Sequence, residues 1–151
     1  EKGSAMTHVA VQSTYRKLKP IRLGHDVLDS DHIEISECWF QAVNCTPIQF
    51  PFLIARLKAL MKKHFALENA IMDGASGMLC ACHRRDHDNL IGLCDHAARL
   101  SRCNPRKARS FLRCEFPKRV REHIICMDQM LVLFINTNGA IVQTETCHSK
   151  S

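Results

Sequence analysis

The sequence predicts an all-α fold, an antiparallel up-down-up-down four-helix bundle preceded by an N-terminal arm. Three observations carry this. Apolar residues recur at three- and four-residue intervals through four separate stretches, the pattern of amphipathic helices. Proline, glycine and asparagine punctuate the gaps between them. The sole alternating run, Ala140–Thr144, is too short to build a sheet. A chain of 151 residues has room for one buried core. Its residues are 46% hydrophobic but only 6% aromatic, which suits aliphatic helix packing.

Residues 1–28 read as an arm without periodicity, carrying Pro20 and Gly24; the opening Gly3-Ser4-Ala5-Met6 looks like a cloning remnant and is set aside. The bundle is expected over 29–136. Its first helix runs from about Asp29, a candidate N-cap, to Asn44, with His32, Ile35, Trp39 and Val43 on one side. Thr46 and Pro47 break it. The second covers Pro51 to Met72, where Leu53, Leu57, Leu60, Met61, His64, Glu68, Ile71 and Met72 form a stripe that ends at Gly74 and Gly77. The third runs from Gly77 to Ser101, aligning Leu79, His83, His87, Leu90, Ile91 and Cys94, and Asn104-Pro105 stops it. Ser101 to Phe116 reads as a long loop. The fourth helix opens at Pro117, a residue suited to a first turn, and passes Val120, His123, Ile124, Met127, Leu131 and Phe134 to reach Asn136. Residues 137–151 are polar and read as a flexible tail. Connections of this size join antiparallel neighbours.

Several function classes drop out. No apolar run reaches the roughly twenty residues of a transmembrane helix. The start lacks the basic end and apolar stretch of a signal peptide. The expected setting is therefore the cytoplasm, with no membrane partner. The net charge of +6 invites nucleic acid. However, the one dense basic run, Arg99–Arg121, has few aromatics and no base-reading motif. It reads as a solvated connection between helices, so no nucleic-acid partner is expected. The nine cysteines cannot all pair within one chain. Cys80-x-Cys82 is their only close pair, which makes no zinc framework. They read as free thiols acting as small apolar residues.

What interrupts the apolar stripes points to function. His32, His64, Glu68, His83, His87 and His123 all fall in register with core residues, where an amphipathic helix should place leucine. An unpaired buried carboxylate is costly, and a metal ion compensates it directly. A lone core histidine usually just bonds a backbone carbonyl. Six such residues on four stripes favour metal over any hydrogen-bond network. His64 and Glu68 are four apart, as are His83 and His87, so each pair projects from adjacent turns of one face. His123 and Asp128 are five apart, about 140° around an ideal α-helix. They converge either from two flanks of the stripe or through a π-bulge, a feature favoured at functional sites. Both routes stay open here.

At these residues the chain resembles the hemerythrin family, with its bacterial members and its cation-binding domains. The matching pattern is His32 in helix one, His64-x-x-x-Glu68 in helix two, His83-x-x-x-His87 in helix three and His123-x-x-x-x-Asp128 in helix four. Asp29-Ser30-Asp31-His32 resembles the opening of the family's first helix, and His64-Phe65 with Glu68 and Met72 resembles its second. The likeness spans about residues 20–136. It implies a non-heme centre of two Fe ions with an oxo or hydroxo bridge. His83, His87 and His123 would hold one iron and His32 with His64 the other, while Glu68 and Asp128 bridge. Donor counting then closes the first iron at six and leaves one position open on the second. Nitrogen and hard-oxygen donors suit iron, and seven ligands with a vacancy do not suit structural zinc.

The resemblance further implies reversible binding of O2, or of another small diatomic or anionic ligand, for storage, delivery or sensing rather than turnover. Helix geometry nominates Phe65, Met72, Val120 and Leu131 as pocket lining, all of them also ordinary core positions. The competing reading is a diiron redox protein acting on peroxide or NO, or repairing iron centres, with cysteine thiols or an unknown donor supplying electrons. A signalling role would need a separate partner. Cys82 adjoins His83 and Cys126 lies inside the helix-four motif. Asn69, where many bacterial relatives have an acid, is expected to point off the ligand face. His25 precedes the first helix within reach of the ligands' outer partners. His96 is expected on a solvated face, and His8 and His148 in the tails.

Overall fold

The computed structural model describes residues 20–73 and 78–137, the side chains of 78–80 excepted. The expectations for the chain start, for the tail from 138 onward with His148 and the Ala140–Thr144 run, for His8, for the breaks at Gly74 and Gly77, and for the side chains of Leu79 and Cys80 lie outside the described residues. Four helices form: α1 (Asp26–Asn44), α2 (Phe50–Asp73), α3 (Met78–Cys103) and α4 (Pro105–His123). A π-helical turn, Ile124–Asp128, follows α4 directly, and residues 129–137 continue as helix. Each helix packs on the next, and α4 returns to α1, closing an all-α four-helix bundle with no strand among the described residues.

The N-cap of α1 is His25, not Asp29. The His25 Nδ1 accepts from the Leu28 N–H at 3.4 Å. Asp29 sits one turn inside and is buried, its carboxylate accepting the backbone N–H groups of Leu23 at 2.7 Å and Gly24 at 3.1 Å. It thereby folds residues 20–24 back on the helix start, a reversal that passes through positive φ (+81°) at Gly24.

The larger correction concerns the expected loop at Ser101–Phe116 and the solvated connection at Arg99–Arg121. Helix α4 starts at Pro105, and Asn104 alone separates it from α3. Asn104 Oδ1 accepts from the Lys107 N–H at 2.9 Å while Pro105 occupies the first turn, where a missing N–H costs nothing. Pro117 is therefore inside the helix rather than at its start. Ala108, Leu112 and Phe116, four apart, are the buried stripe of this basic segment. Its arginines are partly structural: Arg113 donates to the Val43 carbonyl near the C-terminal end of α1 at 3.0 Å, and Arg109 lies over the Phe50 ring.

The core is asymmetric. Ile35, Trp39, Val43, Phe50, Ile54, Leu57, Met61, Leu90, Cys94, Ala97, Leu112 and Phe116 fill one end of the bundle. The Trp39 indole N–H meets the Leu112 carbonyl at 2.9 Å. The buried ionisable residues gather at the other end. The apolar half supplies the stabilising burial, which leaves the opposite half free to hold polar groups.

Candidate metal centre

Each helix delivers ligands from the face it buries. His32 comes from α1, His64 and Glu68 from α2, and His83 and His87 from α3; His123 ends α4, and Asp128 ends the π turn. All seven are buried, with Glu68 and Asp128 at 0% exposure. Their ligand atoms form two groups that share the carboxylates: Glu68, His83, His87, His123 and Asp128; and His32, His64, Glu68 and Asp128. Within each group every pair of atoms lies within 4.8 Å. The two-flank route for His123 and Asp128 is not taken; the π turn brings them together. Its i→i+5 bonding, seen where the Gln129 N–H meets the Ile124 carbonyl, leaves His123 Nε2 2.9 Å from Asp128 Oδ1.

The carboxylates are split between the groups. Asp128 Oδ1 faces His83 at 3.1 Å and His123, whereas Oδ2 faces His32 at 3.2 Å. Glu68 Oε2 faces His87 at 2.9 Å and His83 at 3.7 Å, whereas Oε1 faces His64 at 3.4 Å. His83 and His87 hydrogen-bond Asp128 and Glu68, but not every close pair is a bond. Glu68 Oε1, Asp128 Oδ2 and His123 Nε2 have no hydrogen-bond partner despite complete burial. The outer nitrogens explain why. His123 Nδ1 meets Asp86 Oδ2 at 2.9 Å, and His87 Nδ1 meets Asn69 Oδ1 at 3.3 Å. With Nδ1 so occupied, Nε2 of each ring points at a carboxylate oxygen, an arrangement that a metal cation taking the place of an Nε2 proton completes.

Electrostatics agree with that demand. Burial raises Asp128 and Glu68, but contacts from His123, His32 and His83 to the one, and from His83 and His87 to the other, outweigh it and keep both carboxyls below their usual range. Burial lowers His64 and His87 toward the neutral form. Burial also opposes charge on His83 and His123, yet the carboxylates win, pushing His83 to about 9 and His123 upward. Nitrogen and oxygen donors without thiolate fit a hard or borderline metal.

Compared with known proteins, the chain is 26% identical over 125 residues to a bacteriohemerythrin of Ralstonia nicotianae, covering 83% of this chain and 91% of that relative. No family model matches it, and no solved structure does. The likeness extends over most of the chain, and the buried His/Glu/Asp cluster agrees with it. In both respects the chain is similar to hemerythrins.

Three residues to which the sequence assigned no role at the site stand behind the candidate ligands. Asp86 holds His123 and is itself held by Arg119 at 3.1 Å. Asn69, expected off the ligand face, instead faces His87. Asp31 lies 3.5 Å from His64 Nδ1. Each is a polar residue on a half-exposed face, where nothing distinguishes it from solvated neighbours. Of the nominated lining residues, Phe65 stacks on His87 (centroids 4.0 Å apart) and, with Val120, borders a cavity of about 160 Å³ beside His32 and His64. Met72 and Leu131 are buried but lie outside that lining. His25 caps α1, and His96 is exposed with its ring edge-on to Phe111. Among the described thiols, none joins either ligand group. Burial pushes the Cys94 thiol up to about 12, and Cys126 is exposed.

Proposed function

We propose that this chain is a non-heme diiron protein that binds O2 reversibly, serving storage, delivery or sensing rather than turnover. The observation that carries the reading is the split of Glu68 and Asp128 between a three-histidine and a two-histidine group. In this reading His83, His87 and His123 would hold one iron and His32 with His64 the other, with Glu68 and Asp128 as shared ligands. A pair of irons at this site would supply reversible two-electron chemistry toward O2. The chain's own residues do the rest. Asp86 and Asn69 orient His123 and His87 through their Nδ1 atoms. His32 and His64, with His123 and Asp128, line the cavity, whose other walls include the apolar side chains of Ile35, Trp39, Phe65, Val120 and Ile124, which limit water beside the two-histidine group.

The test is the visible spectrum of anaerobic, iron-loaded protein as air is admitted and then removed. A band that appears with O2 and vanishes on its removal is expected. Direct passage to a stable diferric spectrum would favour the redox reading, and no iron-dependent absorption would sink the two-iron assignment.

A further inference from the structure

The end of the bundle away from the candidate centre carries its own pattern of charge and apolar surface. Two connections meet there: residues 45–49 between α1 and α2, and Asn104 between α3 and α4. Arg109 over the Phe50 ring and Arg113 on the Val43 carbonyl join them into one surface. The first connection is braced internally, Gln49 Oε1 accepting the Thr46 N–H at 3.2 Å and the Thr46 hydroxyl at 2.9 Å. That brace presents Ile48 at the turn, 91% exposed, and Phe52 follows in the first turn of α2 at 70%. Both side chains stand in water, although Phe50 and Ile54 beside them are buried. Around them the charge has one sign. Arg99, Arg102, Arg106 and Lys107 are exposed on the adjoining helix ends. No aspartate or glutamate occurs over residues 38–67 or 96–114, the stretches that build this end.

Singly, an exposed apolar residue or a surface cation is ordinary. The combination is selective. A second copy of this chain would bring two cationic ends together. A nucleic acid would satisfy the cations but gain little from an aliphatic apex. An anionic bilayer satisfies both, with lipid phosphates facing the arginines and lysine while the apolar side chains enter the acyl boundary. None of the described helices is long and apolar enough to cross a membrane, and attachment at a surface requires none. We propose that this end docks on an anionic lipid bilayer, with Ile48 and Phe52 inserted and Arg99, Arg102, Arg106 and Lys107 on the headgroups. His64 lies well along α2 from Phe50, roughly 20 Å at about 1.5 Å per residue, so docking leaves the candidate centre clear of the lipid. The inference is therefore independent of which metal binds.

The full chain is sedimented with vesicles of phosphatidylcholine alone and of phosphatidylcholine with an equal part of phosphatidylglycerol. Binding to the anionic vesicles that weakens with salt, and none to the neutral ones, is expected. Ile48→Ser and Phe52→Ser should each weaken it about tenfold, and Arg102→Gln, Arg106→Gln and Lys107→Gln combined about a hundredfold. All five positions are exposed, so circular dichroism should show the same helix content and thermal midpoint in every variant. Charge alone would draw a chain of net charge +6 to anionic lipid, so the apolar pair decides. Anionic-vesicle affinity indifferent to both Ile48→Ser and Phe52→Ser overturns the proposal, as does equal binding to neutral vesicles. Tighter binding to a duplex DNA oligomer than to anionic vesicles, equally indifferent to Ile48→Ser, overturns it in favour of nucleic acid.

Discussion

Asp86 gives the sharpest test of how the centre is held. It belongs to α3, between the two histidines of that helix, yet its partners are on α4: Oδ2 takes the His123 Nδ1–H at 2.9 Å and Oδ1 takes Arg119 at 3.1 Å. Asp86→Ala removes both. The Arg119 pair is 40% and 19% exposed, so its loss costs at most about 1 kcal/mol. The His123 bond is different, because it decides which ring nitrogen keeps its proton and how the ring is turned. Losing such an orienting partner costs about 10- to 100-fold in metal affinity, roughly 1.4–2.7 kcal/mol. Asp86→Asn keeps an oxygen in place and should recover most of that loss, since the ring needs an acceptor more than a charge. Competition for Fe(II) against a chromophoric chelator under anaerobic conditions measures all three proteins. Affinities of wild type and Asp86→Ala within twofold of each other would refute the reasoning, as would Asp86→Asn binding no better than Asp86→Ala.

Two further outcomes follow from the same coordinates. With His83 pushed up to about 9, metal must displace its proton. Metal uptake at pH 7.5 should therefore release at least about one proton, and affinity should rise about tenfold per pH unit up to about pH 9. In the metal-free chain the same charge contributes stability that is fully present below the usual histidine value near 6.5 and is lost as pH rises through about 9; a pH-indicator titration during loading, with no proton released, would contradict this. Leu57→Ala, at 0% exposure in the apolar half, should cost about 2–5 kcal/mol by urea denaturation while the folded protein keeps its metal stoichiometry.

Helices one to three were readable because their buried stripes keep helical spacing throughout, with the buried histidines sitting where leucine belongs. The first half of α4 was not. Its stripe is only Ala108, Leu112 and Phe116, diluted by Arg106, Lys107, Arg109 and Arg113, and charge density mimics a solvated connection. The cap was present in Asn104-Pro105, but it stops one helix and starts the next at once. A pattern of ligands on buried faces is conspicuous, whereas Asp86, Asn69 and Asp31 work from half-exposed positions, where polar residues are the rule.

The π turn shows why one spacing in the motif differs from the others. The pairs on α2 and α3 sit four apart, so each rides one face of a regular helix. Helix four must instead put His123 into the three-histidine group and Asp128 between both groups, and a regular helix would swing the latter about 140° away. One surplus residue, accommodated by i→i+5 bonding, returns Asp128 to the inner face and keeps Leu131 and Val132 buried after it. What the turn displaces goes outward: Ile125 is 43% exposed and Cys126 is exposed as well. A π turn weakens the local helix and leaves an apolar side chain in water, a cost that packing alone gives no reason to keep. The placement of a fully buried carboxylate between the two groups does give one, which ties this backbone irregularity to the candidate metal centre rather than to the fold.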